Sequence, residues 1–66
     1  MYKIIIKSNV DKNYDKIFKI IDKHSTFFRG NTENEYQTKE GYVLEFKDIP
    51  SDAILEINEL KEVEEI

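Results

Sequence analysis

Hydrophobic and polar residues along the chain fall into short strand-like stretches and into two others in which apolar residues recur every three to four positions. The clearest stretch is Lys39-Glu40-Gly41-Tyr42-Val43-Leu44-Glu45-Phe46, where a turn signal runs directly into alternation. Gly41 can take a positive φ at no steric cost, and Tyr42, Leu44 and Phe46 then share one pleat face while Val43 and Glu45 share the other. This predicts a central strand, with a hairpin entering it from Glu35-Tyr36-Gln37-Thr38. Tyr2-Lys3-Ile4-Ile5-Ile6-Lys7 is β-branched and apolar on both faces, the pattern of an interior strand. Ile4 and Ile6 are assigned to the core and Ile5 to the opposite face.

The spacing of Tyr14, Ile17, Phe18, Ile20, Ile21 and His24 predicts a helix from about Asp11 to His24 with that stripe buried. Ser8-Asn9-Val10-Asp11 supplies capping oxygens, and Asp11 and Asp15 suit the positive end of the dipole. Lys12, Lys16, Lys19 and Lys23 form a basic ridge on the outer side, read as a solvated face. Phe27 and Phe28 fall in the crossing that follows, and one or both are expected to plug the end of the core. A second helix follows Ile49, with Pro50 in its first turn, Ser51 or Asp52 satisfying free donors, and Ile54, Ile57 and Leu60 facing inward. Asp52, Glu56 and Glu59 face outward, so two helices side by side would set an acidic ridge near the lysine ridge. Val63 to Ile66 makes a brief last strand.

The predicted order is β-α-β-β-α-β, a ferredoxin-like split βαβ arrangement of the α+β class. It places two helices on one face of a four-stranded antiparallel sheet, in one domain spanning residues 1–66. The other face carries Ile5 and Val43 among lysines and glutamates, and it is the expected docking surface.

Composition narrows the chemistry. With 66 residues and no cysteine, the chain has no disulfide staple, no thiolate metal site and no catalytic thiol. No apolar run approaches the roughly 18 residues of a membrane span, and the opening apolar run is too short for a signal peptide. Net charge is −4, but it is uneven: the chain through Glu33 carries a balance of +3 and the remainder −7. An acidic second half disfavours nucleic-acid binding through phosphate neutralisation. Gly41-Tyr42-Val43-Leu44-Glu45-Phe46 has a loose likeness to the aromatic third strand of an RNA-recognition motif. That motif needs aromatics on the open face, whereas Tyr42 and Phe46 fall on the core side with Leu44.

Signals for catalysis are weak. His24 is the single histidine, lies on the apolar side of its helix and is read as a core or boundary residue rather than a ligand. Glu62, Glu64 and Glu65 cluster near the chain end, where carboxylates are ordinarily exposed. No glycine-rich phosphate loop or nucleophile elbow is present. The expectation is a non-enzyme with no catalytic residues, no metal and no cofactor.

Taken with their spacings, Tyr2-Lys3-Ile4-Ile5-Ile6-Lys7, Asn34-Glu35-Tyr36 and Lys39-Glu40-Gly41-Tyr42-Val43-Leu44-Glu45-Phe46 resemble the propeptides of subtilisin-like serine proteases. They also resemble the small stand-alone inhibitors related to these, of the proteinase-B-inhibitor type. Ile49, Ile54, Ile57, Val63 and Ile66 stand at the separations of that family's apolar helix and last-strand positions, so the likeness covers nearly the whole chain. It consists of apolar spacing on a common superfold. The resemblance implies a domain that lays its open sheet face on a subtilisin-like protease as inhibitor, folding chaperone or both. The implied partner-binding residues are Ile5, Tyr36, Val43, Glu45, Glu64 and Glu65.

The family continues after the position of Ile66 into acidic residues and a tail that enters the protease cleft. Glu64 and Glu65 partly stand in for the acids, and nothing stands in for the tail. Docking alone is therefore expected of a complete chain, and a downstream tail of a precursor fragment. Two other readings stay open. One is a small acidic antagonist of a nucleic-acid-handling enzyme, phage-encoded for example, with Glu56, Glu59, Glu62, Glu64 and Glu65 mimicking phosphates. The other is a ligand-sensing domain that pairs through its last strand, so the expected state is a monomer or an edge-paired dimer.

Overall fold

The computed structural model describes residues 1–24 and 32–66, and the expected plug residues Phe27 and Phe28 lie outside the described residues. Strand β1 (Tyr2–Ile6) leads into helix α1 (Val10–His24), followed by the hairpin β2 (Asn34–Gln37) and β3 (Tyr42–Phe46), helix α2 (Ser51–Ile57) and strand β4 (Val63–Glu65). The sheet is antiparallel with the order β2-β3-β1-β4. The predicted split βαβ order and four-stranded sheet are therefore what the chain adopts.

The register of β1 on β3 pairs Ile4 with Leu44, Ile6 with Tyr42 and Ile5 with Val43. Alternation sends Ile4, Ile6, Leu44 and Phe46 to the helical side, where they pack with Ile17 and Ile21 of α1 and Ala53 and Ile57 of α2. Each large aliphatic side chain removed from water there contributes about 1.5–3 kcal/mol. Val63 and Ile49 close the core. Tyr14, Phe18, Ile20, Ile54 and Leu60 border it rather than fill it. Phe18 bridges Tyr14 and Phe46, with ring centroids 4.8 and 5.7 Å apart.

The hairpin turn is organised by Thr38. Its backbone N–H donates to the Gly41 carbonyl at 2.8 Å, and its hydroxyl accepts from the N–H groups of Glu40 and Gly41. Gly41 has the expected positive φ, 155°. A Cβ there would also overlap the Ile6 carbonyl, lying 2.9 Å from its carbon, so the close approach of β3 to β1 needs glycine as well.

Both helix starts differ from expectation. Asn9 adopts φ 51°, a left-handed conformation that asparagine tolerates, and its carbonyl receives the Asn13 N–H at 3.0 Å. The side chains of Ser8 and Asn9 turn away from their own helix to donate to Glu62. Pro50 stands one position before α2 rather than inside its first turn, with φ −56° and ψ 140°, and no side chain caps the helix. Its carbonyl opens the helical ladder by accepting from Ile54 N–H at 3.1 Å. The end of α2 tightens through Glu59 N–H to Glu56 O and Leu60 N–H to Ile57 O.

The outward backbone N–H groups of β4 have partners within the chain. Lys7 N–H donates to Glu62 O and Ile66 N–H to Lys3 O, so the backbone groups of Glu62, Glu64 and Ile66 point to β1 while those of Val63 and Glu65 point away from it. Both outward donors are occupied: Val63 N–H bonds Leu60 O at 3.3 Å and Glu65 N–H bonds Asn58 Oδ1 at 3.2 Å. Pairing through the last strand thus finds no free N–H on β4.

Candidate functional site

Among the described residues no helix or strand covers the sheet face opposite the core. Ile5 and Val43 are partners in the ladder at its centre, Tyr36 of β2 pairs with Val43, and Glu64 of β4 pairs with Ile5. One row across this face thus reads Tyr36, Val43, Ile5, Glu64. Lys3 and Lys7 flank Ile5 along β1 and lie on the same face by parity. Lys3 Nζ is 3.7 Å from Glu45 Oε2, and Lys7 Nζ is 3.0 Å from Glu64 Oε2. The Tyr36 hydroxyl donates to Glu45 at 2.7 Å, a bond that pushes the phenol above its usual range.

These side chains surround a shallow depression of about 330 Å³, with Ile5 and Val43 among its lining and Ile66 at its rim. Ile5 is only 4 % exposed and Val43 only 2 %, whereas Ile66 is 59 % exposed. The face is therefore not a bare apolar patch. The aliphatic pair lies low among long polar side chains, and the accessible apolar surface belongs to the rim.

Five of the six residues expected to meet a partner, namely Ile5, Tyr36, Val43, Glu45 and Glu64, share this face. Glu65 does not: it stands opposite Ile4 on the other pleat face. Glu64 and Glu65 are consecutive in an extended strand and cannot point the same way. Lys3, Lys7 and Ile66 also belong to the face; lysines are expected there from the alternation, but none of the three is among the residues expected to meet a partner, although their even spacing from Ile5 and Glu64 carries the signal.

The acidic residues proposed as a phosphate mimic do not form a row. Glu56 of α2 is held by Lys23 at 2.9 Å and by His24 at 3.2 Å, and these two contacts keep its carboxyl below the usual range. Lys23 and Glu56 realise the expected meeting of the basic and acidic ridges, while His24 sits at the core boundary. Glu62 accepts from Ser8 Oγ, from Asn13 Nδ2 at 3.2 Å and from Asn9 Nδ2 at 2.7 Å, which lowers its carboxyl despite partial burial. Glu64 is paired with Lys7. Three of the five proposed acids thus have internal partners, and Glu65 points away from Glu64.

A second cluster, not anticipated from the sequence, lies on the helical side of β2. Glu35 accepts hydrogen bonds from the Tyr14 hydroxyl of α1 at 2.7 Å, the Tyr42 hydroxyl of β3 at 2.8 Å and Thr32 Oγ1 at 2.7 Å. Burial alone raises this carboxyl, but the hydroxyls of Thr32, Tyr14 and Tyr42 together outweigh it and leave it below the ordinary value. The same bond, with burial, pushes the Tyr14 phenol up to about 12.

Among the described residues no group of three or more His, Asp or Glu side chains is placed to hold a metal ion, and no helix is long and apolar enough to cross a membrane. What the uncovered face can do chemically is make a mixed contact. It offers the Tyr36 ring, the Ile66 side chain and the stems of two lysines, with charged groups at fixed positions around them. No family model, curated protein or solved structure matches the chain.

Proposed function

We propose that the chain is a protein-binding module that lays the uncovered face of its sheet against a subtilisin-like serine protease, acting as inhibitor, folding chaperone or both. The observation that carries the reading is the row Tyr36, Val43, Ile5, Glu64 with its flanking ion pairs, on a face that neither helix covers. It is supported by the strand-to-strand spacing that resembles subtilisin propeptides and by the β-α-β-β-α-β order. Glu64 supplies an acid at the β4 side of the face, suited to the partial positive charge at exposed helix N-termini of a partner.

Because Ile5 and Val43 are already nearly covered, docking gains little from them directly. The contact draws its apolar area from Tyr36, Ile66 and the lysine stems, and its orientation from Lys3–Glu45 and Lys7–Glu64. The phosphate-mimic reading lacks a comparable observation, since its carboxylates are dispersed and three of the five have internal partners.

The test is to add the protein to a panel of subtilisin-like proteases, both active and refolding from denaturant, and to follow hydrolysis of a peptide substrate. Slower hydrolysis or faster recovery of activity supports the reading. No effect on any protease in either format overturns it.

A further inference from the structure

Glu35 and Tyr36 are neighbours on a strand that has little else to hold it. β2 is four residues long, sits at the edge of the sheet and contains no fully buried residue. An edge strand of that kind, bonded on one side only, is ordinarily among the first segments to open. Yet Glu35 gathers hydroxyls from three separate segments: Tyr14 on the helical layer, Tyr42 on the adjacent strand and Thr32 ahead of β2. Tyr42 and Thr32 bind the hairpin to itself, whereas Tyr14 carries the hydrogen bond from α1 to β2.

Alternation converts this tie into a constraint on the other face. With Glu35 fixed toward the helices, Tyr36 must point to the uncovered face, beside Val43, with its hydroxyl on Glu45.

We propose that Glu35 is a positioning residue: by latching β2 to Tyr14 of α1 it holds Tyr36 in place as the β2-side wall of the depression over Val43. Release of the latch frees the β2 edge and loosens that wall while the Ile4–Leu44 core stays packed. The structural half of this inference stands on the hydrogen bonds alone; its functional half rests on the docking reading above.

Amide hydrogen exchange on the full chain, with no partner present, tests the structural half. Glu33 N–H bonded to Glu45 O and Thr38 N–H bonded to Gly41 O report the two ends of the β2–β3 ladder. Lys7 N–H bonded to Glu62 O and Ile66 N–H bonded to Lys3 O report the other side of the sheet. Tyr14→Phe keeps the ring against Phe18 and removes only the hydroxyl; Glu35→Ala removes the whole acceptor. In both variants exchange at Glu33 and Thr38 should quicken by about tenfold or more, the scale of a lost charge-assisted bond. Lys7 and Ile66 should stay as in the wild type. Glu35→Gln should fall between, because its amide oxygen still accepts while its nitrogen cannot. Equal acceleration at all four amides, or none at any, overturns the latch.

The functional half is read with the protease found in the preceding assay. Glu35→Ala should weaken inhibition or chaperoning although Glu35 does not lie on the contact face. A variant with a released β2 and undiminished effect overturns the positioning role. If the wild-type chain acts on no subtilisin-like protease, the docking reading falls and the exchange result stands alone.

Discussion

The Nδ2 amide of Asn13 lies 3.2 Å from Oε1 of Glu62 and 2.9 Å from the carbonyl of Ser8, joining the first turn of α1 to the turn that precedes β4. Asn13 is only 3 % exposed and is the buried polar side chain of the described residues. A buried amide is costly unless both its hydrogens are engaged, and here they are. Glu62→Ala removes one of those partners and also frees Ser8 and Asn9. It should lower the thermal midpoint followed by circular dichroism, and Asn13→Leu in the same background should restore part of the loss, since the orphaned amide is then gone. A Glu62→Ala protein as stable as the wild type would contradict this.

Gly41→Ala should destabilise by at least about 2 kcal/mol, combining a backbone conformation that alanine avoids with overlap onto the Ile6 carbonyl. Denaturant titration measures it. Since the overlap arises between β3 and β1, the loss should appear as global destabilisation with an unchanged slope, not as fraying of the hairpin.

Leu55 and Ile57 stand two residues apart on α2 with opposite environments, 67 % exposed and fully packed respectively. Leu55→Glu should leave stability within about 0.5 kcal/mol, whereas Ile57→Ala should cost about 2–5 kcal/mol. Chemical denaturation of the two variants checks the helical phase. Similar losses at both sites would mean that α2 is rotated from the orientation described.

The Tyr14–Glu35 pair predicts a two-sided pH dependence. The folded Tyr14 phenol titrates at about 12 rather than 10.0, so its contribution is complete below pH 10 and is lost as pH rises toward 12. The Glu35 carboxyl is lowered, so its contribution is present above the ordinary value of 4.5 and is lost as pH falls through the depressed one. The phenols of Tyr36 and Tyr42 are also raised, by Glu45 and Glu35, so absorbance titration of the tyrosinate band should lose one late-titrating phenol in Tyr14→Phe and keep the others, while Glu35→Gln should move the Tyr14 and Tyr42 phenols to lower pH and leave Tyr36 in place.

The Lys23–Glu56 bridge, exposed on the helical layer, should show coupling in a double-mutant cycle at low salt and little at high salt. Coupling insensitive to salt would place that pair in a drier setting than its exposure indicates.

How much of this was legible from the residues depends on the kind of signal each feature leaves. The pleat faces of β1 and β3 follow from strict alternation, and the stripe of α1 from its period. Both are local and survive without knowledge of the neighbours. Glu35 and Glu62 leave no such mark. Their partners lie 21 and 49 residues away in the chain, at Tyr14 and Asn13. A lone glutamate reads as a solvated charge until the fold brings those hydroxyls and amides to it. Ser8, Asn9, Ser51 and Asp52 fit a capping role by residue type. Ser8 and Asn9 are instead drawn to a nearby carboxylate, and α2 begins without a side-chain cap. Glu64 and Glu65 are neighbours in sequence, and a strand turns that proximity into opposite directions.

The occupied donors of Val63 and Glu65 bear on what the β4 rim can offer a strand from another copy. A stack grown by adding strand to strand needs an open rim at both ends of every copy, and here the β4 rim offers no N–H to the next one. A strand added at that rim would first have to displace the Leu60 carbonyl and the Asn58 side chain from those two donors.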